Sequence, residues 1–284
     1  MCTEDQASIN IRNNLLELSD FETIGEIKGY PVRKMEELIL VETEGLHLYL
    51  DGIDANIRDS LVSNTNIDDN EISKEYPLDL LVFLSKHRSE MELQSLTVHP
   101  PGNYNRTDHG GKPGFLPPSS PRYMAAALRS LYREKKELEI KDRTTYEVTH
   151  HGPVVNSPCF FIEIGSTEDR WQVPILGKAI ARSLLSDGFR SPDMEIPVAI
   201  GIGGGHYGPR FTDRAMRKKF DFGHMVPDYI LNSGMDVRSA IEKAWNSTPG
   251  AKGAFIHRSK HNEGVMEDVM GSIDDLGISE LTIN

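Results

Sequence analysis

The stretch Pro197 to Thr212 constrains this chain more than any other. It reads Pro-Val-Ala-Ile-Gly-Ile-Gly-Gly-Gly-His-Tyr-Gly-Pro-Arg-Phe-Thr. Val198, Ala199 and Ile200 predict a buried strand. The chain then sheds its side chains at Gly201, Gly203, Gly204 and Gly205, and next delivers one imidazole, His206, one phenol, Tyr207, and one guanidinium, Arg210. Four glycines among five residues weaken a strand and cost backbone entropy. Such a stretch suits a place where a backbone or ligand approaches closely, so it reads as the floor of a site. A phosphate cradle of the GxxxxGK[ST] kind is excluded, because no Lys follows the glycines. Close approach to a substrate, or an oxyanion hole of backbone N–H groups, fits better than a nucleotide loop. The plainer alternative is a tight turn alone.

A chain of 284 residues can bury a full core in one large domain or two small ones. The longest apolar runs, such as Leu80 to Leu84, are far short of a membrane span. The N-terminus is polar from Thr3 onward, so no signal peptide is expected. Cys2 and Cys159 show neither metal nor redox spacing, which suits a reduced, cytoplasmic setting. The net charge of −12 argues against a generic nucleic-acid binder. Its distribution matters more. Residues 36–80 carry twelve acids against Arg58 and Lys74, and residues 261–284 carry six acids and no Lys or Arg. Residues 81–260 hold 25 basic and 19 acidic groups, so a polyanion can dock on that half.

In chain order, Ser8 to Leu18 predicts a helix. Only Met1-Cys2 is left to form the strand expected before it in an α/β fold, so that strand reads as truncated. Glu37 to Val41 and Leu46 to Leu50 predict a hairpin around Glu44-Gly45. Asp54 to Val62 predicts a helix with Asp54 as N-cap, and Ser63 to Lys74 an exposed loop. Leu78 to Leu84, Ser95 to Val98, Thr145 to Thr149, Cys159 to Ile164 and Ala254 to Ile256 read as strands, and Phe222 to Val226 as a further one carrying His224. Tyr123 to Glu139, Pro174 to Leu185, Thr212 to Lys219, Asp236 to Asn246 and Val265 to Leu276 read as helices. Between Pro101 and Pro121 lies a long Pro/Gly loop with Asn103, Asp108 and His109, of the length that is usually functional. The alternation predicts an α/β fold: a single domain over 1–284 with a mixed sheet covered by helices on both faces. In such folds ligands bind at the carboxyl ends of strands.

The unusual residues gather at those ends. His87, His99, His150, His151, His206 and His224 are six of the ten histidines. Histidines with a carboxylate suit zinc, which leaves a water for catalysis. Glu163 or Asp108 supplies the carboxylate in this reading. Any one histidine alone is more often a hydrogen-bonded structural residue; the clustering is what favours a site. There is no HExxH or CxxC spacing and no GxSxG elbow, so hydroxyls such as Ser119, Ser166 and Thr149 are not singled out as nucleophiles. Arg210, Arg214 and Arg217 share a helix face. With Lys218 and Lys219 they could hold phosphates, a solvated face being an equal alternative.

Several motifs together are more specific than any one. They are Thr97-Val98-His99-Pro100 with Gly102-Asn103; Gly110-Gly111-Lys112-Pro113; Thr149-His150-His151-Gly152-Pro153; Glu163-Ile164-Gly165-Ser166-Thr167-Glu168 with Trp171; Gly201 to Tyr207 with Pro209-Arg210-Phe211-Thr212; and Phe222-Gly223-His224 with Pro227. In these the chain resembles the D-aminoacyl-tRNA deacylases of the archaeal and plant type over nearly its whole length. One departure is that members of that family begin with an apolar strand before the segment matching Cys2-Thr3-Glu4-Asp5. The resemblance implies a fold similar to the phosphorylase and peptidyl-tRNA hydrolase folds. It also implies a zinc-dependent hydrolase that cleaves the ester between a D-amino acid and tRNA and releases both. By position, His99, His150, His151 and His206 are then the metal ligands, with His150, His151, Glu163 and His206 the catalytic groups. Gly203, Gly204, Gly205, Tyr207, Arg210, Arg214, Lys218, Lys219 and Asn103 are the expected substrate contacts. The expected partner is tRNA and not a membrane, with the protein a monomer or weak homodimer. Two alternatives stay open at this point: a metal-assisted hydrolase or phosphorylase of a small nucleoside or peptide, and a tRNA-binding protein without chemistry.

Overall fold

The computed structural model describes residues 1–65, 77–89, 92–107 and 109–282. Most of the loop expected over Ser63 to Lys74, and Asp108, lie outside these residues. Among the described residues ten strands fall into three sheets. β1 (Glu22–Ile27), β2 (Tyr30–Met35) and β3 (Leu38–Leu40) form an antiparallel meander. β4 (Leu81–Lys86), β5 (Ser95–His99), β6 (Arg143–Tyr146) and β7 (Cys159–Ile164) form a mixed sheet in the order β4-β7-β5-β6. There β5 runs antiparallel to β7, while β4/β7 and β5/β6 are parallel pairs. β8 (Val198–Ile202), β9 (Asp221–Val226) and β10 (Ala251–Ile256) form a parallel sheet with β8 in the middle. The helices are α1 (Gln6–Leu18), α2 (Ile53–Asn64), α3 (Pro121–Glu137), α4 (Glu168–Trp171), α5 (Pro174–Leu185), α6 (Asp187–Arg190), α7 (Pro209–Met216), α8 (Asp228–Leu231), α9 (Val237–Asn246) and α10 (Met266–Asp275). Among the described residues no helix is long and apolar enough to cross a membrane.

The pleat of the mixed sheet explains where its chemistry sits. Side chains alternate between faces with period two. Leu84, Leu96, Val98, Tyr146, Phe160, Ile162 and Ile164 point to one face and are buried with Ile11 and Leu15 of α1, Met124, Leu128 and Leu131 of α3, and Leu176 and Ile180 of α5. Burying each such side chain stabilises the fold by about 1.5–3 kcal/mol. The register pairs Phe83 with Phe161, Ser85 with Glu163, Thr97 with Glu163, and Thr97 with Thr145. These residues and His99 therefore share the opposite face, and the face turns from apolar at Phe83 and Phe161 to polar at Glu163 and His99.

The parallel sheet is covered on both sides. Ile200, Ile202, Val226, Ala254 and Ile256 pack on Ala240, Ile241 and Ala244 of α9 and on Val269 and Ile273 of α10. Ala199, Phe222 and Phe255 pack the other way, with Phe211 and Ala215 of α7. Proline at the first turn of α3, α5 and α7 gives up an N–H that has no helical acceptor there. Side chains cap α1 and α9: Asp5 accepts from the N–H groups of Ala7 and Ser8, and Asp236 from that of Ser239.

The mixed and parallel sheets meet at the glycine-rich stretch. The Gly208 N–H donates to the Tyr146 carbonyl and the Val148 N–H to the His206 carbonyl, each at 2.9 Å, so Tyr207 bridges antiparallel to Glu147.

Two local expectations are corrected. The hairpin over 37–41 and 46–50 does not form: β2 and β3 make the turn earlier, and His47 to Tyr49 is a single 3-10 turn. The reason is an interlock of three loops. A Cβ on Gly110 or Gly152 would lie 1.8 or 2.4 Å from the Leu48 carbonyl oxygen, so both must be glycine for the loops to close. Asp54 is not an N-cap; Gly52, at φ +72°, holds that place. Asp54 is buried, and its Oδ2 accepts from the Asn156 and Ser157 N–H groups and the Ser157 hydroxyl.

Candidate active site

Six side chains converge where the two sheets meet. Glu163 comes from β7 and His99 from the end of β5. His87 and Glu147 lie just past β4 and β6. His150 follows on the Glu147 strand extension, and His206 arrives from the parallel sheet. Glu147 Oε2 lies 3.2 Å from His87 Nδ1, 3.2 Å from His206 Nε2 and 3.5 Å from His150 Nε2. Glu163 Oε2 lies 3.5 Å from His99 Nε2 and 3.6 Å from His87 Nδ1. The rings touch as well: His99 stacks on His150 with centroids 4.1 Å apart, and His206 meets His150 edge-on at 4.7 Å. Glu147, Glu163 and His99 are buried, whereas His206 is half-exposed and opens the cluster to solvent.

Four of the imidazoles are turned by an oxygen on their outer nitrogen. Nδ1 of His99, His150 and His151 faces the carbonyl of Pro100, Val148 and Gly152, at 3.3, 2.8 and 2.6 Å. A carbonyl only accepts, so Nδ1 carries the proton and Nε2 presents a lone pair. For His99 and His150 that lone pair points at carboxylate oxygens. His87 is turned the other way: its Nε2 meets the Tyr207 hydroxyl at 3.2 Å, which leaves Nδ1 for both carboxylates. The Trp171 indole N–H fixes the His87 backbone through its carbonyl.

The electrostatics follow from burial against charge. Burial pushes the His87 imidazolium down, but Glu147 and Glu163 outweigh it and hold His87 up at about 9. Burial pushes the Glu147 carboxyl up, and the facing imidazoles, His87 first, bring it down to about 2. Glu163 is lowered in the same way by His87 and His99. Burial drives His150 well below its ordinary value and His151 to about 4, with the neighbouring imidazoles adding to it. Both carboxylates are thus favoured in their ionised form, and His150 and His151 in their neutral form.

This donor set fits a metal ion. Both Glu147 oxygens, Glu163 Oε2 and His99 Nε2 are buried without a hydrogen-bond partner, and such atoms are costly unless a cation or proton meets them. Three overlapping groups bring their ligand atoms within 4.8 Å of one another: His87-Glu147-His150-His206, His99-His150-His151 and His99-Glu147-Glu163. Imidazole and carboxylate ligands, oriented by outer carbonyls, are the donors zinc takes.

The structure sorts the residues expected from the sequence. His99, His150, His151, Glu163 and His206 come together. Tyr207 reaches the cluster through His87. His224 does not join: it is buried, with Nδ1 on the Thr149 hydroxyl and Nε2 on the Pro117 carbonyl, and so serves the packing. Asn103 holds its own loop, donating to the Gly110 carbonyl at 2.9 Å. Gly203 to Gly208 spell GxGxxG between a strand and a helix, the signature of a dinucleotide loop. Here these groups are spent inside the protein: the Gly203 N–H goes to the Val226 carbonyl and the Gly204 N–H to Asp228 Oδ1. The close neighbours of Gly203 are the His257 carbonyl and Asn262 rather than an outside ligand. Gly205 is exposed, meets nothing where a Cβ would stand, and its N–H has no partner among the described residues.

The basic helix is partly neutralised. Arg214 and Arg217 pair with Asp213, and Lys218 with Asp193. Arg210 and Lys219 are exposed and have no ion-pair partner among the described residues. Sequence reasoning missed Glu147 entirely, and it gathered His87 with the strand-end histidines without assigning it a role at the site. The signal for Glu147 lay in Thr145-Tyr146-Glu147-Val148, where the alternation that buries Tyr146 and Val148 sends Glu147 to the face of Thr145.

Comparison with known proteins agrees with this geometry. A model of the D-aminoacyl-tRNA deacylase family matches residues 74–281, which contain every member of the cluster. A D-aminoacyl-tRNA deacylase of Methanosarcina mazei is 34% identical over 98% of this chain and 89% of its own. Those of Archaeoglobus fulgidus and Pyrococcus horikoshii are 33% and 34% identical over 92% and 82% of this chain, and over 95% and 81% of their own. A crystal structure of a conserved protein of unknown function superposes with a TM-score of 0.82 at 30% identity, covering 98% of this chain and 91% of that one. With the match extending over the sheets, the glycine stretch and the buried cluster alike, the chain belongs to the D-aminoacyl-tRNA deacylase family.

Proposed function

We propose that this protein hydrolyses the ester between a D-amino acid and the 3′ end of tRNA, releasing both, with zinc held in the His/Glu cluster. The observation that carries this reading is the pair of buried carboxylates, Glu147 and Glu163, facing the imidazoles of His87, His99, His150 and His206 in the family's matched region. His87, His99, Glu147, His150 and His206 would hold the ion, with His151 behind His99 and His150. When bound, zinc supplies a water whose pKa falls from 15.7 toward ~7.

The chain's own groups do the rest. Glu163 is poised to take a proton at Oε2, beside His87 and His99. The proton taken by Glu163 then passes to the leaving ribose oxygen, while His206, at the mouth of the cluster, would hold the ion through Nε2. The unpartnered Gly205 N–H faces the ester and supports the negative charge that develops on its carbonyl oxygen. Tyr207 holds His87 in the rotamer that serves both carboxylates. Arg210 and Lys219 meet backbone phosphates of the tRNA, and Arg214 and Lys218 contribute less because acids already hold them. The site draws on both larger sheets, which favours reading residues 1–284 as one unit. We read that unit as a monomer or weak homodimer working in the cytoplasm, where its substrate is.

The test is to incubate the protein with D-tyrosyl-tRNA and L-tyrosyl-tRNA and follow amino-acid release. Cleavage of the D-ester, lost in His206→Ala, is the expected result. Binding of tRNA without release from either substrate would overturn the reading.

A further inference from the structure

A second cavity lies apart from the cluster, between the meander and the edge strand β4, with a volume of about 880 Å³. That is within the range of small-molecule sites. Its walls are largely aliphatic, among them Leu38 and Leu40 of β3, Ile57 and Leu61 of α2, and Leu81 and Phe83 of β4. Two buried polar groups stand in this lining, the Met1 amino group, which donates to the Val41 carbonyl, and the His47 imidazole. His47 is 4% exposed, its ring leans on Phe83 and Phe161 at centroid distances of 5.4 and 6.2 Å, and neither ring nitrogen has a hydrogen-bond partner among the described residues.

Burial keeps the His47 imidazole neutral, well below its ordinary value. A neutral imidazole offers one donor and one acceptor. Buried polar atoms left unmade are destabilising, so a native protein retains them where a partner arrives. The partner that fits is small, mostly apolar to match the walls, and bears one group able both to donate and to accept. Arg190, at the cavity's edge, is already paired with Glu36 and Glu37, and the buried Met1 amino group in the lining is pushed down to about 6 by burial and donates to the Val41 carbonyl. A charged ligand would therefore find no free counter-charge beside His47.

We propose that this cavity binds a neutral, largely apolar small molecule carrying a single hydroxyl, which His47 hydrogen-bonds. The site is distinct from the metal cluster: Phe161 stands between them, stacked on Phe83 at 4.5 Å on one side and on His99 at 5.2 Å on the other. The inference does not depend on the deacylase reading.

The probes are 2-naphthol and its methyl ether, 2-methoxynaphthalene, titrated calorimetrically into the full-length protein. The expected result is saturable one-to-one binding of both, with the alcohol bound about fivefold more tightly, the value of one net hydrogen bond. In His47→Leu that preference disappears while the ether still binds. In Ile57→Phe, which fills the cavity without touching His47, both affinities fall at least tenfold, with unchanged thermal denaturation as the check on folding. Absence of saturable binding, or a preference for the alcohol that survives His47→Leu, would overturn the proposal.

Discussion

Replacing Glu147 by Gln keeps the shape of the side chain and removes one buried charge. Its Oε2 lies within 3.5 Å of nitrogens on His87, His150 and His206. The carboxyl is held down at about 2, so the wild-type group is fully ionised at any pH where the protein works. Taking away one partner of a buried charged contact costs about 3–5 kcal/mol. If the cluster is a metal centre, that loss appears in metal affinity. About 4 kcal/mol corresponds to a dissociation constant for zinc weakened roughly a thousandfold. Competition against a chromogenic chelator measures it, with Glu42→Gln as control. Glu42 is a buried carboxylate paired with Arg12 and Arg33 on the far side of α1, and its loss should leave zinc affinity unchanged. A Glu147→Gln protein that binds zinc within threefold of wild type would refute the assignment of Glu147 as a ligand.

Three further outcomes are expected. Gly203→Ala places a Cβ 2.4 Å from the His257 carbonyl at a φ of +92°, and should lose about 3 kcal/mol in denaturant unfolding. Gly205→Ala meets open space and should stay within about 0.5 kcal/mol; equal losses would contradict the division of labour between these glycines. His224 is lowered to about 4 by burial, so the fold prefers it neutral. Its stabilising contribution is complete above about 6.5 and is lost as pH falls from there toward 4, by up to about 3 kcal/mol. His224→Gln should flatten that part of the stability–pH curve, and an unaltered curve would show that other groups set it. Neutralising Arg210 and Lys219 together should reduce the slope of log K for tRNA against log salt by about 1.5, against a smaller change for Arg214 with Lys218; the reverse order would place the tRNA elsewhere.

The sequence made the central strands legible because their burial is two-sided. Cys159 to Ile164 and Val198 to Ile202 are apolar in every residue but Glu163 and Gly201, and both fold as read. The meander was not legible. Glu22 to Ile27 is mostly polar and exposed, and it pairs only because β2 lies beside it. His99, His150, His151, Glu163 and His206 could be gathered as strand-end residues. Glu147 could not, because its importance rests on the β5/β6 register that puts it on the face of His99. His87 needed the parallel pairing of β4 with β7 for the same reason. The glycines were read as room for a substrate, yet Gly203 and Gly204 make room for the His257 loop, a contact 54 residues away in the chain for Gly203. The pairing of Asp213 with Arg214 and Arg217 was visible as i,i+1 and i,i+4 neighbours, and it explains why that helix face offers less free charge than its composition suggests.

The central claim is that the buried His/Glu cluster works through a metal ion on D-aminoacyl-tRNA. The most direct measurement is turnover of D-tyrosyl-tRNA by protein stripped with a chelator, then supplied stepwise with zinc. The account predicts loss of at least about 99% of the activity on stripping, a hundredfold drop or more, because the metal-activated water is removed. It also predicts recovery in proportion to zinc bound. Full turnover by metal-free protein would contradict it.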